Sequence, residues 1–420
     1  MPASCADHPR RYLLLLLGTT GSALLAISTL NLLVDPFGVF GASIRSGVND
    51  RTLDSSGFDR MVKPYKLVRA APRTVLFGSS TAHVGFLSIA DWDTALPHPA
   101  YNYALLGASA HEVRLSLAQA LRECPVEAAI LVADFFAFNA HYLDNPGFAP
   151  ARLSVTTHRG WPGFLGSDLV AFTIGREVLG LSWQTLVASR RKLDSATQVD
   201  SLVQDYSWDV HFRNCERSYL TKWFPPPAHL YEFASTQTGG DRLADFDASL
   251  QLCGERGVHL IILCPPIHAR FQEALAAAGA WPHYEAWKRE IAKRTQAQQA
   301  LRTGSGTVEL WDFSLFNDLT CEPLPRDGAG SMRYFTDSAH FTQELGRLVL
   351  NEILDPEKPR ANRPGVRLDR VEIESHLAAV RTGLEAFRAA NPSVVADVRS
   401  ALGIEPPSTT APMASASPHR

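Results

Sequence analysis

Long basic runs are missing from this sequence. Its 40 Lys and Arg residues are scattered among 43 Asp and Glu, the formal charge is −3, and no stretch could track a phosphate backbone. Nucleic acid is therefore excluded as an expected partner. Paired-cysteine motifs are missing as well. The six cysteines, Cys5, Cys124, Cys215, Cys253, Cys264 and Cys321, are widely spaced and match neither a Cys-x-x-Cys zinc site nor a dense disulfide scaffold. No His-x-x-x-His or His-Glu-x-x-His occurs, so no metal site is expected.

Charge is also absent from Tyr12 to Val34, "YLLLLLGTTGSALLAISTLNLLV". As a helix this run would extend about 35 Å, enough to cross a bilayer. No polar face recurs at helical spacing, which argues against a buried soluble helix. Arg10 and Arg11 precede it and Asp35 follows, so the positive-inside rule places the N-terminus in the cytoplasm and the remainder outside, in a bacterium the periplasm. The expected location is the bacterial inner membrane, single-pass. A cleaved leader ending at "GSA", Gly21 to Ala23, is the competing reading, but the apolar run continues well past that point. Cys5 would then be cytoplasmic and the other five cysteines outside. An odd number leaves at least one thiol unpaired, and individually buried cysteines or one or two disulfides remain open.

What is present beyond the span is enough apolar residue, 45% of 420, to bury a core. A polar connector at 41–72 leads into strand-like apolar runs alternating with helical patterns. The runs are "RTVLFG" (Arg73 to Gly78), "AYNYALLGAS" (Ala100 to Ser109), "EAAILVADFF" (Glu127 to Phe136), "VHLIILCPP" (Val258 to Pro266) and "TVELWDFS" (Thr307 to Ser314). Between them lie helical patterns such as "HEVRLSLAQALREC", Phe246 to Arg256 stopped by Gly257, and Trp287 to Leu301. Continuous apolar strands separated by helices predict a parallel sheet covered on both faces, a three-layer α/β/α sandwich over 73–355. An insertion at about 141–241 has no clean period and is expected to cover a sheet edge or form a lid. A C-terminal helical extension at 356–404, with one amphipathic helix around Arg367 to Ala390, and a disordered tail at 405–420 complete the chain.

In an open parallel sheet a site forms at the carboxyl ends of the strands. Three stretches converge there: Gly78-Ser79-Ser80, Gly107, and "YFTDSAHFTQELG", Tyr334 to Gly346. A serine hydroxyl needs a base to take its proton, and that base needs a carboxylate to fix its tautomer. Asp337 and His340, three residues apart in a turn, could supply both to Ser80. Backbone N–H groups of Ser80 and Gly107 could receive the developing oxyanion. Such chemistry requires no cofactor. His83, three residues after Ser80, and His268, at another strand end, are further candidates as substrate contacts or alternative bases, each against a structural reading. Trp208, Phe212, Trp223 and Phe224 could form a sugar-stacking platform or simply be core.

A Gly-x-Ser after the first strand, Asn102 with Gly107 after the second, and a late Asp-x-x-His before a helix resemble the ordered blocks of the SGNH (GDSL-like) hydrolase superfamily. The resemblance implies Ser80 as nucleophile, His340 as base, Asp337 as its orienting carboxylate and Gly107 as an oxyanion donor. It departs at the third block, where the family's Gly-x-Asn-Asp is replaced by "VADFFAFN": Asp134 stands where an Asn donor is usual, and Asn139 comes several residues late. Asp134 and Asn139 are therefore carried as candidate substrate contacts. Within the superfamily the architecture resembles membrane-anchored envelope acyl-transfer proteins, the D-alanyl-transfer protein of teichoic acid and the alginate O-acetylation proteins, though the latter place Asp and His earlier. The resemblance implies an acyltransferase or esterase acting on a cell-envelope polysaccharide or glycan beside a multispanning membrane acyltransferase. The alternatives are an inactive SGNH-like protein that binds polysaccharide or scaffolds a biosynthetic complex, and an esterase released after Ala23.

Overall fold

The computed structural model describes residues 7–51, 56–92, 94–154, 157–158, 161–192, 207–301, 306–325, 330–360 and 362–404. Cys5 and the expected tail at 405–420 lie outside the described residues. The N-terminal half contains α1 (Asp7–Val34), α2 (Asp59–Ala70), β1 (Thr74–Phe77), α3 (Ser80–Gly85), β2 (Ala100–Asn102), α4 (Ala110–Glu123), β3 (Ala128–Val132), α5 (Gly166–Ile174) and α6 (Arg176–Arg191). Then follow α7 (Trp208–Trp223), α8 (Arg242–Glu255), β4 (His259–Cys264), α9 (Ala269–Ala277), α10 (Trp281–Leu301), β5 (Val308–Asp312), α11 (Gln343–Leu354), β6 (Val366–Arg367), α12 (Ile373–Ala390) and α13 (Pro392–Ala401).

The chain divides into two units. The first comprises 1–73, 115–125 and 145–205. Within it, Pro9–Val34 is long and apolar enough to cross a membrane. Asn31, on its last turns, donates to the Thr173 carbonyl (2.9 Å) and accepts from Ser182 Oγ (2.8 Å), fixing α1 to α5 and α6. The stretch expected as a polar connector instead contains α2, whose Val62, Tyr65 and Val68 are buried with Phe37, Val39 and Phe172. Tyr65 donates to Asp168 (2.6 Å), which also accepts from Arg152 Nε (2.7 Å).

The second unit comprises 74–114, 126–144 and 206–420 and holds a mixed α/β fold around a six-stranded sheet in the order β6-β5-β4-β3-β1-β2. Five strands run parallel; β6 is antiparallel to β5 through Val366↔Asp312 and Arg367↔Trp311. β1 and β3 are buried along their whole length, which is why they read as unbroken apolar runs. Leu76, Ile130, Ile261 and Trp311 from the sheet share one core cluster with Phe335, Phe341, Leu345 and Val349 around α11. Each such side chain stabilises the fold by about 1.5–3 kcal/mol.

Several boundaries differ from the sequence reading. Only Ala100–Asn102 of the second run is strand, α10 begins at Trp281 rather than Trp287, and α8 begins at Arg242 rather than Phe246. The extension contains two helices, not one, and β6. A buried trio ties it in: Asp312 on β5 accepts from Lys288 of α10 (2.6 Å) and pairs with His376 of α12 (2.8 Å). The described cysteines, Cys124, Cys215, Cys253, Cys264 and Cys321, are all free thiols.

Candidate functional site

Ser80 lies where β1 turns into α3. Gly78 makes that turn at φ +154°, and a Cβ there would come within 2.7 Å of the Ala82 Cβ and 2.9 Å of the Val132 Cβ, so only glycine fits. Ser79 caps α3 and donates to Asp134 Oδ2 at 2.9 Å; Thr81 reaches the same oxygen at 3.4 Å. The Phe136 N–H donates to the other Asp134 oxygen at 3.2 Å. Since β1 and β3 are neighbours, Asp134 braces the turn that presents Ser80 from the end of the adjacent strand.

His340 arrives on the loop before α11. Phe335 and Phe341, both fully buried, pair across this loop, and Thr342 caps the helix. Gly346 on α11 meets α3 so closely that a Cβ would lie 2.1 Å from the Gly85 carbonyl oxygen, so the contact depends on a bare backbone. Between the two phenylalanines Asp337 makes a tight turn: its Oδ1 accepts the N–H groups of Ala339 and His340, each at 2.8 Å. Its Oδ2 faces His340 Nδ1 at 2.7 Å, and His340 Nε2 faces Ser80 Oγ at 2.8 Å. With Nδ1–H donating to Asp337, Nε2 is left to accept the serine proton. The structure thus brings Ser80, His340 and Asp337 together across 260 residues of sequence.

Electrostatics reinforce the arrangement. Burial alone would raise the Asp337 carboxyl, but the charge and hydrogen bond of His340 and two backbone N–H groups hold it well below the usual range. Burial alone would lower His340; the charge and hydrogen bond of Asp337, with the charge of Asp134, outweigh it and raise the imidazole above its ordinary value. Asp134 itself is pushed up by burial, against the pull of Ser79, the Phe136 N–H, His340 and Thr81. A hydroxyl beside an imidazole held in this way can lose its proton as it attacks an electrophile.

Two neighbours had no signal in the sequence. Tyr219 and Cys215 lie one turn apart on α7, inside the stretch read as an aperiodic insertion. The Tyr219 hydroxyl is 3.2 Å from His340 Nε2 and 3.4 Å from Ser80 Oγ. The Cys215 thiol donates to Asp337 Oδ1 at 3.3 Å, and burial followed by the Asp337 charge raises its pKa well above the ordinary thiol value. A hollow of about 20 Å³ lies behind Asp134 and Tyr219, walled also by Phe136, Phe271, Tyr284 and Trp287; none of Ser80, His340 and Asp337 lines it. That is room for a single water.

The remaining candidates are placed as follows. Gly107 sits at φ +60°, its carbonyl accepting from Tyr142 (2.7 Å), and its loop is tied to β1 by Leu105 N–H to the Gly78 carbonyl (3.0 Å). Asn102 donates to the carbonyl of Phe86 (2.9 Å) at the end of α3. Asn139 is buried and committed: its amide donates to the Trp223 and Leu230 carbonyls at 3.0 Å each. His268 is buried, accepts from the Arg270 N–H while capping α9, and pairs through Nε2 with the Glu322 carbonyl at 2.7 Å. Burial holds its pKa down to about 4. His83 lies on α3 with Ser80 and is partly exposed. Phe212, Trp223 and Phe224 are buried core rather than an open stacking platform, and Trp208 is partly buried. No group of three metal-ligating side chains occurs among the described residues. Compared with family models and with curated proteins, the chain matches none.

Proposed function

We propose that this protein is a membrane-anchored, periplasm-facing acyltransferase or esterase of the SGNH (GDSL-like) type. Its sheet and helices would form that superfamily's α/β/α sandwich, and its substrate would be an acyl group, acetyl in the first place, on a cell-envelope polysaccharide or glycan. A multispanning membrane acyltransferase would be its partner. The observation that carries the reading is the relay at 2.8 and 2.7 Å joining Ser80, His340 and Asp337.

In this reading the Ser80 proton passes to His340 Nε2 as Oγ attacks the acyl carbonyl. The N–H groups of Ser80 and Gly107 receive the oxyanion, and Asp337 stabilises the imidazolium. The imidazolium returns its proton to the leaving alkoxide. A sugar hydroxyl or water then repeats the sequence in reverse on the acyl-Ser80.

A second reading, an inactive polysaccharide-binding or scaffolding protein, draws on the third block. Asp134 accepts hydrogen bonds there and Asn139 is committed to carbonyls, so neither supplies the family's asparagine donor. The test is turnover of p-nitrophenyl acetate by the full-length protein in detergent. A pre-steady-state burst that vanishes in Ser80→Ala supports the enzyme. Absence of turnover, with polymer binding retained after replacement of Ser80, Asp337 and His340 together, supports the binding protein.

A further inference from the structure

The Tyr219 hydroxyl is nearly equidistant from the two atoms that exchange a proton in the acyl-transfer reading, 3.2 Å from His340 Nε2 and 3.4 Å from Ser80 Oγ. Neutral Nε2 has one lone pair, and the shorter Ser80 contact at 2.8 Å takes it. Tyr219 is therefore a second donor at the base with no strong acceptor of its own in the resting site.

The ring is not loose. It packs against Phe136, Phe271 and Trp223, with centroids 6.0, 5.5 and 6.3 Å away. One turn back on α7, Glu216 is fully buried and bonded to Arg270 Nε at 2.6 Å, which anchors the helix. Burial, then the charges of Asp134 and Asp337, raise the phenol well above its ordinary pKa, so it remains a donor at any working pH.

Any oxygen that takes a proton from Nε2, or gives one to it, must come within hydrogen-bond distance of that nitrogen while bonded to the carbon on Ser80 Oγ. Such an oxygen lies between the three atoms and within reach of the tyrosine. An amide or thioester leaving atom would gain less there, since nitrogen has a single lone pair, which the Nε2 proton takes, and sulfur is a weak acceptor.

We propose that the Tyr219 hydroxyl binds the alkoxy oxygen that leaves and the hydroxyl oxygen that enters, making this a site for oxygen esters and hydroxyl acceptors. The inference rests on the acyl-transfer reading above. In acylation the Oγ–C bond forms, the C–OR bond breaks, and the proton from Ser80 travels through Nε2 to RO⁻. Tyr219 keeps its proton and lends a hydrogen bond to the charge growing on RO. Transfer to an acceptor runs the same steps backwards.

The test compares Tyr219→Phe with wild type, full length in detergent, on two esters of one acyl group: p-nitrophenyl acetate, whose leaving group needs little help, and ethyl acetate, whose leaving group needs much. Tyr219→Phe is expected to lower kcat/KM for ethyl acetate about 10²-fold, as for loss of one positioned donor, and for p-nitrophenyl acetate less than about 3-fold. A purely structural or oxyanion role would reduce both alike. An unchanged thermal midpoint and continued fluorophosphonate labelling of Ser80 show that the variant is folded. Equal losses, or none, overturn the assignment to Tyr219 while leaving the Ser80 reading intact. Wild-type protein that turns over neither ester and leaves Ser80 unlabelled overturns both.

Discussion

Asp337→Asn separates the two things a carboxylate does for a histidine. Oδ1 of Asp337 is fixed by two backbone donors at 2.8 Å each, so the asparagine oxygen must take that place and its NH₂ must face His340 Nδ1. Nδ1 then accepts, the ring proton moves to Nε2, and Ser80 faces a donor instead of a base. The lost charge alone, taken about 4 Å from the imidazolium at an effective dielectric of about 20, is worth about 4 kcal/mol, or about 10³-fold. The wrong tautomer costs about 10⁴-fold and sets the result. The fold should survive, because the turn keeps both backbone hydrogen bonds.

The assay is the pH dependence of p-nitrophenyl acetate turnover. On the proposed mechanism the active form of the wild type is neutral imidazole, and with the His340 pKa raised above its ordinary 6.5 the rate should climb with pH through a midpoint above that value. In Asp337→Asn the midpoint should fall, because burial is then opposed only by Asp134. A loss smaller than about 10-fold with an unmoved acid limb would refute the reasoning.

Two further outcomes concern stability. His268 titrates near 4 in the folded protein and near 6.5 unfolded, so between these values the unfolded chain holds the extra proton. Its neutral form therefore stabilises the fold above pH 6.5, and up to about 3 kcal/mol is lost as pH falls towards 4. His268→Asn, which can still cap α9, should flatten the thermal midpoint across that window, and an unchanged slope would contradict the assignment. Glu216→Ala takes from buried Arg270 one of its two carboxylate partners while leaving Asp397 of α13, and should cost about 1–3 kcal/mol in a denaturant titration. Glu216→Gln, which keeps an acceptor oxygen but not the charge, should cost less, and equal losses would mean that the retained hydrogen bond contributes nothing.

How much of this could be read from the sequence follows from what each element buries. β1, β3, β4 and β5 are covered by protein, so their apolar runs stand out. β6 is two residues held by pairing to β5, with no run to detect. α2 carries Val62, Tyr65 and Val68 at helical spacing, but four basic residues and an internal Pro64 disguised it as connector. α6 buries Val178, Ser182, Thr185, Ala188 and Ser189, a small and polar face without hydrophobic period. The triad residues were legible because a turn, a strand end and a local Asp-x-x-His each leave a short pattern. Tyr219 and Cys215 were not, because they reach the site only through the tertiary placement of α7. Asp134 was legible as a departure from a motif, but its service to Ser79 and Thr81 depends on β1 and β3 being neighbours.

The most direct test of the central claim is fluorophosphonate labelling of the full-length protein in detergent, read by peptide mass spectrometry. The account predicts one modified residue, Ser80, with labelling abolished in Ser80→Ala and strongly reduced in His340→Ala. A folded protein whose Ser80 stays unmodified, or is modified equally without His340, would contradict it.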